Sequence, residues 1–392
     1  MPSFTISQKP LAKHLNTCSQ VSQKKSDVEF FAYTKLTLSK DSLRVAAMNN
    51  NTFYHAHIPI SNLDENIDSE IHFAIKTELL NGAVNLLVDE MLGVDFDIAK
   101  NTFTLQGSKG KHTLRIDPEM IKEYKDVVAI SKAQAKILLS SEALSMALTA
   151  ASIAVGQPKS TYDAKFLNVC LTVKPDLAKL FVVATDRYRI SKTVIDGNYQ
   201  EIGDKVENGT KQNFLFLPKG LQILNQMKEN GEEMSVSFHD EIGIFVVGGV
   251  TLVLKYGDGD YPEYDRIIPQ SFTCKFETEA KELLAGLRQV YLSARSNLAN
   301  KTVNVEILPK ENKIVLSAET EDGNKSESTL TLKNYEGIDD SWKQSFNADY
   351  LMDYLNVLQT EEMVWEANPG KPSVPSPIGE KEKQLYLVSG LK

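Results

Sequence analysis

His55-Ala56-His57 puts two imidazoles two residues apart, which on a strand places both on one face as half of a metal site. Nothing nearby completes the ligand set. Polar side chains at alternate positions are also what the solvent face of a strand carries, and that is the expectation here. Asp258-Gly259-Asp260 opens like a calcium loop, but the later ligands and the closing glutamate are missing, so a turn is expected. The three cysteines, Cys18, Cys170 and Cys274, stand far apart and form no C-x-x-C pair. They read as buried free thiols rather than as a disulfide framework or zinc ribbon. No serine sits in a G-x-S-x-G elbow, and no glycine run has a phosphate-cradle spacing. The residues therefore predict no catalytic centre, no metal and no cofactor.

The 392 residues suffice for two or three domains. Apolar residues make up 42% and charged residues 24%, as in soluble globular proteins. No stretch approaches the roughly 20 apolar residues of a membrane span. The start, Met1-Pro2-Ser3-Phe4-Thr5, lacks a basic flank and apolar core, so a cytoplasmic protein is expected. The formal net charge is −9, which excludes tight nucleic-acid binding by bulk charge. Any such contact must come from a local arrangement of lysines and arginines.

The elements that would position those residues repeat three times. Phe4-Thr5-Ile6 reads as a strand before a helix from Gln8 to Cys18. Val127–Ile130 reads as a strand before a helix from Lys132 to Ala150, and Ser271–Phe276 as a strand before a helix from Glu279 to Arg295. Alternating strand runs follow each opening, such as Leu43-Arg44-Val45-Ala46 and Lys313-Ile314-Val315-Leu316. A second helix is predicted in each third, over Phe73–Val88, Pro218–Lys228 and Ala348–Leu358. Thr77, Pro218 and Asn347 stand near their starts, where caps and an N1 proline belong. The class is α+β with antiparallel sheets, and the domains are 1–126, 127–269 and 270–392. The four prolines between Asn368 and Pro377 predict a long polar hairpin loop, because proline cannot serve a central strand. Each opening helix carries a basic line: Lys9 and Lys13, Lys132 and Lys136, and Lys281, Arg288 and Arg295. Any one of these alone is also what a solvated helix face looks like.

Several segments together resemble one family. Val183-Ala184-Thr185-Asp186-Arg187-Tyr188-Arg189-Ile190 is similar to the "ATDxxRL" strand-turn of the bacterial sliding clamp, the beta subunit of DNA polymerase III. Tyr261-Pro262-Glu263-Tyr264-Asp265-Arg266-Ile267-Ile268-Pro269 resembles its "FPDYxRxxP" segment, Phe166-Leu167-Asn168 its "YLNG" strand, and Leu217-Pro218-Lys219-Gly220 its "VPRKG" helix start. The fit covers the last two thirds by motif and the first third by pattern. The chain departs from the family at Met48-Asn49-Asn50, at Arg187, where a small residue is usual, and at Ser389-Gly390-Leu391, which replaces Met-Pro-Met. A divergent member is expected, viral or from an unusual bacterial lineage.

The resemblance implies a non-catalytic processivity factor, a head-to-tail homodimer whose twelve helices line a hole. Helices packed about 8–10 Å apart would enclose an opening of roughly 30–40 Å, wide enough for hydrated duplex. Such a ring holds DNA by topology, which reconciles a net charge of −9 with a DNA role. By resemblance, Lys24 or Lys25, Lys76, Lys165 and Phe166 face duplex DNA; helix periodicity adds Lys136, Lys219, Arg288 and Arg295. These contacts would be sequence-independent. The family's partner-peptide pocket maps onto Leu167, Thr185, Tyr188, Arg189, Ile190, Pro262, Arg266, Ile267 and the tail Leu387, Val388, Ser389, Gly390, Leu391 and Lys392. The partners implied are the polymerase III catalytic subunit, the clamp-loader complex and other clamp-motif proteins. His112 and Leu114 match the first-domain side of the dimer contact. Two readings stay open beside this one: a clamp-like interaction protein that no longer encircles DNA, and a hydrolase sharing only the repeat.

Overall fold

The computed structural model describes the whole chain except residues 1, 65, 66, 68, 98, 125–130, 158–163, 228–230, 297–299, 359 and 392. Its recurring unit is a strand that runs straight into a helix. Ser3–Ser7 leads into α1 (Gln8–Val21) and Ile71–Lys76 into α2 (Thr77–Leu86). After the short α3 (Pro118–Glu123), Ala135–Ser140 leads into α4 (Ser141–Ser152). After the short α5 (Asp204–Glu207), Asn213–Phe216 leads into α6 (Pro218–Met227). Cys274–Glu279 leads into α7 (Ala280–Ala294), and Trp342–Asn347 into α8 (Ala348–Val357). Each third therefore holds two strand–helix junctions, each followed by a meander of strands. The opening strand of each half pairs antiparallel with the meander of the other half. Ser3–Ser7 joins Met91–Asp97, and Ile71–Lys76 joins Tyr33–Leu38. The middle third repeats this exchange (Ala135–Ser140 with Glu233–Phe238, Asn213–Phe216 with Val169–Lys174), as does the last (Cys274–Glu279 with Glu362–Ala367, Trp342–Asn347 with Thr302–Leu308).

Side-chain periodicity explains the helices. In α1, Leu11, Leu15, Cys18 and Val21 are buried while Lys9, Lys13, Asn16 and Gln20 are exposed. In α7, Leu283, Leu287, Val290 and Ala294 are buried while Lys281, Arg288 and Arg295 lie outside. The Asn347 side chain caps α8 by accepting the Asp349 N–H at 2.9 Å, and Pro218 takes the first position of α6.

Contacts divide the chain into two compact units. One comprises Met1–Glu142, Tyr199–Asp204 and Lys219–Tyr256; the other comprises Ala143–Asn198, Lys205–Pro218 and Gly257–Lys392. The middle third thus contributes a meander to each. In the first unit Val250–Lys255 pairs with Thr52–Ser61, with Leu252 opposite Tyr54. In the second unit Arg189–Asp196 pairs with the chain-terminal strand Gln384–Val388, with Ile190 opposite Leu387. The core of the second unit stacks Phe276 on Trp365 and Tyr354 on Tyr386.

The structure corrects three sequence expectations. The helix expected from Lys132 starts only at Ser141. Ala135, Ile137 and Leu139 are buried alternately, so Ala135–Ser140 obeys a period of two and forms a strand. Lys136 sits on that strand opposite Ser237, and no basic helix line exists there. The helix expected from Phe73 likewise begins at Thr77, after the strand Ile71–Lys76. Only the first half of the proline-rich segment is the expected polar hairpin loop: residues 368–372 turn at the surface, but Val374–Pro377 is a buried edge strand on Glu362–Ala367, and Ser373 exchanges hydrogen bonds with Val388 at 2.9 and 3.0 Å. An edge position leaves the missing proline N–H groups with nothing to donate to. The strand expected over Val127–Ile130 lies outside the described residues, as do Lys125-Asp126, Lys228 and Lys392.

All three cysteines are buried and free, as expected. Burial pushes the Cys18 thiol far above its ordinary value and the Cys170 thiol up to about 12. Cys18 and Cys170 should stay unreactive toward DTNB at pH 8 in the folded chain and react in guanidinium chloride. Rapid labelling of either in the native protein would contradict this packing. Because the unfolded thiols ionise first, this contribution to stability is full below pH ~8.5 and is lost as pH rises above it.

Candidate functional site

The segment between the strands Lys179–Thr185 and Arg189–Asp196 is a turn built around one carboxylate. Asp186 Oδ1 accepts the N–H groups of Tyr188 and Arg189, both at 3.0 Å. Thr185 Oγ1 accepts the Arg187 N–H at 3.2 Å and donates to the Arg189 carbonyl at 2.8 Å. The turn holds Arg187 at φ +79°, in the left-handed region that favours glycine. Asp186 Oδ2 also accepts from Arg189 Nε at 2.9 Å. Arg189 Nη1 reaches Asp353 Oδ2 at 2.7 Å, and its Cζ lies 4.2 Å from the centroid of the Tyr350 ring. Burial pushes the Asp186 carboxyl above its ordinary value, against the pull of the Arg189 charge. Arg189 is thus buried, ion-paired twice and stacked, which makes it a strut of the site.

The tail closes over this turn. Ser389 N–H donates to the Tyr188 carbonyl at 2.8 Å, and Leu391 N–H donates to the Ser345 carbonyl at 2.7 Å. A β-carbon on Gly390 would meet Gln344 Nε2 at 2.2 Å, and that amide is itself held by the Lys371 carbonyl at 2.8 Å. Glycine is the residue that fits. Ile190, Thr185, Leu387 and Val388 are buried, with the two tail residues in the cores, so they back the site and offer no open wall. Tyr188 is 49% exposed and stacks on Tyr350 at 6.4 Å; Ile267 is 55% exposed. Arg266 is exposed and pairs with Glu263 at 2.7 Å. Leu167, Pro262, Ser389, Gly390 and Leu391 are half-buried.

The cationic residues fall on several elements. Lys24 pairs with Glu78 at 2.8 Å, Ser22 Oγ meets Thr77 Oγ1 at 2.9 Å, and Lys76 Nζ lies 5.9 Å from the Tyr33 ring. Lys24 and Lys76 therefore share one corner, where α1 ends and α2 begins, with Lys25 exposed beside them. Lys219 is exposed near the start of α6. α6 lies beside α1, because Gln226 and Gln20 exchange amide hydrogen bonds at 3.0 and 3.2 Å. Asn85 of α2 in turn donates to Asn16 of α1 at 3.2 Å. Arg288 and Arg295 are exposed on α7, with Arg288 reaching Asn356 of α8 at 3.3 Å. Phe166 is buried, and Lys165 and Arg187 lie 5.7 and 4.7 Å from its ring centroid. Two features of these helices escaped the sequence reading. Neither α1 nor α6 contains an acidic residue, and their exposed faces alternate lysine with amides.

The second missed feature is apolar. His112 and Leu114 lie half-buried on Lys111–Arg115, the terminal strand of its sheet. Beside it, α2 leaves Leu79 exposed and Leu86 73% exposed, followed by Val88 at 91% and Met91. The signal was present in Leu79 and Leu86, seven residues apart on a helix that is apolar on both faces. In the second unit the edge strand Lys325–Thr331 packs beside α7, whose Leu292 is 64% exposed; Ser293 and Ser326 hydroxyls meet at 2.7 Å. The His55 and His57 rings lie 5.6 Å apart, and no cluster of three metal-ligating side chains occurs among the described residues.

The profile of the DNA polymerase III beta subunit, C-terminal domain, matches residues 265–375. The chain is 24% identical to the beta sliding clamp of Synechocystis over 344 residues, covering 84% of each. It is 26% identical to the Staphylococcus aureus clamp over 212 residues, 53% of each. The fold superposes over the full chain on the DNA polymerase sliding clamp of Bacillus subtilis, with a TM-score of 0.84 at 18% identity and 99% of that chain covered. The Pseudomonas aeruginosa clamp solved bound to griselimycin gives 0.85 at 16% identity, again over 100% of this chain and 99% of that one. The family profile over residues 265–375, the sequence relatives and the shared fold together support a divergent DNA polymerase III beta subunit, similar along its length to the bacterial sliding clamps.

Proposed function

We propose that two copies of this chain close head to tail into a ring around duplex DNA and tether replication proteins to it, with no catalytic step. The observation that carries the reading is a pair of unlike ends. Lys111–Arg115 with the uncovered leucines of α2 lies in one unit, and Lys325–Thr331 with Leu292 of α7 lies in the other. An exposed strand edge beside apolar side chains is a surface that takes another strand. Because the two surfaces differ, joining them across two copies gives a heterologous contact, and that contact closes into a ring only if the rotation allows. The division into clamp domains 1–126, 127–269 and 270–392 belongs to this reading, as does a cytoplasmic site of action. No helix among the described residues is long and apolar enough to cross a membrane.

The helix faces suit sliding. Lys9, Lys13 and Lys219 stand among Asn16, Gln20, Gln222 and Gln226, so phosphates would meet sparse charge and many amides. Lys24, Lys25, Lys76, Arg288 and Arg295 add cations near helix ends and faces. Lys136, placed on a strand, leaves the set argued from helix periodicity. Partner peptides would dock on the surface of Tyr188, Ile267, Leu167, Pro262 and the tail, through which the polymerase catalytic subunit, the clamp loader and other clamp-motif proteins would bind. A clamp of this fold from Pseudomonas aeruginosa binds griselimycin, which supports a ligand site on the fold.

Loaded on nicked circular DNA, the chain should remain bound and should run off after linearisation; equal retention on both forms would sink the topological mechanism. Light scattering should give a dimer, and L79D/L86D should give a folded monomer, since losing two buried leucines weakens each interface by roughly 3 kcal/mol or more. A dimeric double variant would place the interface elsewhere. Deleting residues 389–392 should weaken binding of a polymerase or loader peptide while leaving the dimer intact, as read by fluorescence anisotropy and light scattering. Unchanged peptide affinity would remove the tail from the docking surface.

A further inference from the structure

We propose that a hydrogen-bonded row of side-chain amides across α2, α1 and α6 is an uncharged contact site for the phosphates of duplex DNA. The inference rests on the ring reading given above and adds residues that carry no charge. Asn85 of α2 donates from Nδ2 to the Asn81 carbonyl and to Asn81 Oδ1, both at 2.8 Å, and to Asn16 Oδ1 of α1 at 3.2 Å. The backbone carbonyl fixes which end of the Asn85 amide carries the N–H groups. The ends of Asn81 and Asn16 turned toward it are therefore their oxygens. One turn further along α1, Gln20 exchanges amide hydrogen bonds with Gln226 of α6, and Thr17 Oγ1 donates to Gln226 Oε1 at 3.3 Å. The whole row lies within one compact unit.

This pattern uses up oxygens and leaves N–H groups over. Asn16, Asn81, Gln20 and Gln226 each accept through the side-chain oxygen, and each keeps N–H capacity with no acceptor among the described residues. Asn85 is the exception, with its N–H groups engaged and its oxygen left over. Asn16, Gln20, Asn85 and Gln226 are exposed and Asn81 is half-buried. No acid lies on α1 or α6, and Glu78 of α2 is paired with Lys24. Such a surface suits an anionic oxygen that accepts from several donors. Helices pack about 8–10 Å apart, so a row across three of them spans roughly 16–20 Å and fits an extended, repeating anion rather than a single carboxylate. The phosphodiester backbone is that anion, and it is the same at every base pair. Uncharged donors differ from lysines in one measurable way. They displace no condensed counterions, so their share of the affinity does not add to the salt dependence. The internal hydrogen bonds also hold the side chains in place before duplex arrives, which lowers the ordering cost.

The test uses the full-length chain and a short fluorescein-labelled duplex, read by anisotropy over a series of salt concentrations, with melting followed in parallel. N16A/N81A should bind the duplex on the order of three- to tenfold more weakly at every salt concentration, leaving the slope against salt unchanged. K9A/K219A should instead flatten that slope. N16D/N81D separates duplex contact from helix packing. Each aspartate keeps the oxygen that accepts from Asn85, so the variant should melt like wild type, but its outward face is now a carboxylate and should bind duplex more weakly still. Wild-type affinity in N16A/N81A overturns the proposal. So does a loss in N16A/N81A that N16D/N81D restores, which would make the amides ties between helices and nothing more. In either case duplex binding by the wild-type chain leaves the ring reading standing. If the wild-type chain binds no duplex at any salt concentration, the ring reading fails and this inference falls with it.

Discussion

A strand edge exposes N–H and C=O groups that must find partners, and the way those edges are taken organises this chain. Thr52–Ser61 is joined by Val250–Lys255, and Arg189–Asp196 is joined by Gln384–Val388. In each case the partner comes from a distant part of the sequence. The middle third is therefore divided, one meander serving each compact unit. The exchange of opening strands within each third follows the same demand, since a strand that runs directly into a helix leaves its own meander and completes the sheet of the other half. Lys111–Arg115 and Lys325–Thr331 end their strand orders, and the leucines uncovered beside them are the surface that an ordinary monomer would hide.

The candidate docking surface depends on this pairing in detail. Arg189 is opposite Val388 in the ladder, so the chain end positions the turn that Asp186 organises. Leu387, Val388 and Ile190 spend their apolar area inside the cores, which leaves Tyr188, Ile267 and the half-buried Ser389, Gly390 and Leu391 as the accessible residues around the turn. The small tail residues have a local cause as well, because Gln344 occupies the space that a side chain at Gly390 would need. The absence of a side chain at position 390 is thus tied to packing against Gln344.

Charge is distributed by the same logic. A chain with a net charge of −9 still leaves α1 and α6 free of acids, with lysines spaced among amides. Acids that do occur on α8 are engaged locally: Asp349 pairs with Lys301 and Asp353 with Arg189. A helix row of this kind attracts phosphate weakly and without sequence preference, in keeping with the sliding role proposed above.

The first and third strand–helix openings, the α+β class, the second helices and the buried thiols were legible in the residues, because local periodicity and caps write them into short windows. Gln8–Val21 and Ala280–Ala294 each carry a clean helical stripe. The motif around Thr185–Ile190 likewise pointed to the turn that structure organises around Asp186. The failures have one cause. Lys132–Ser140 shows a basic spacing of four that suits a helix, yet Ala135, Ile137 and Leu139 pack inward only because Glu233–Phe238 lies alongside. The prolines of Val374–Pro377 suit a loop until Glu362–Ala367 offers them an edge. The exposure of Leu79, Leu86 and Leu292, the burial of Val388 and the left-handed Arg187 are equally invisible to spacing. Sequence alone determined the period of each element; the tertiary structure decided which edge each strand takes and which side chains remain uncovered, because those depend on partners a hundred or more residues away.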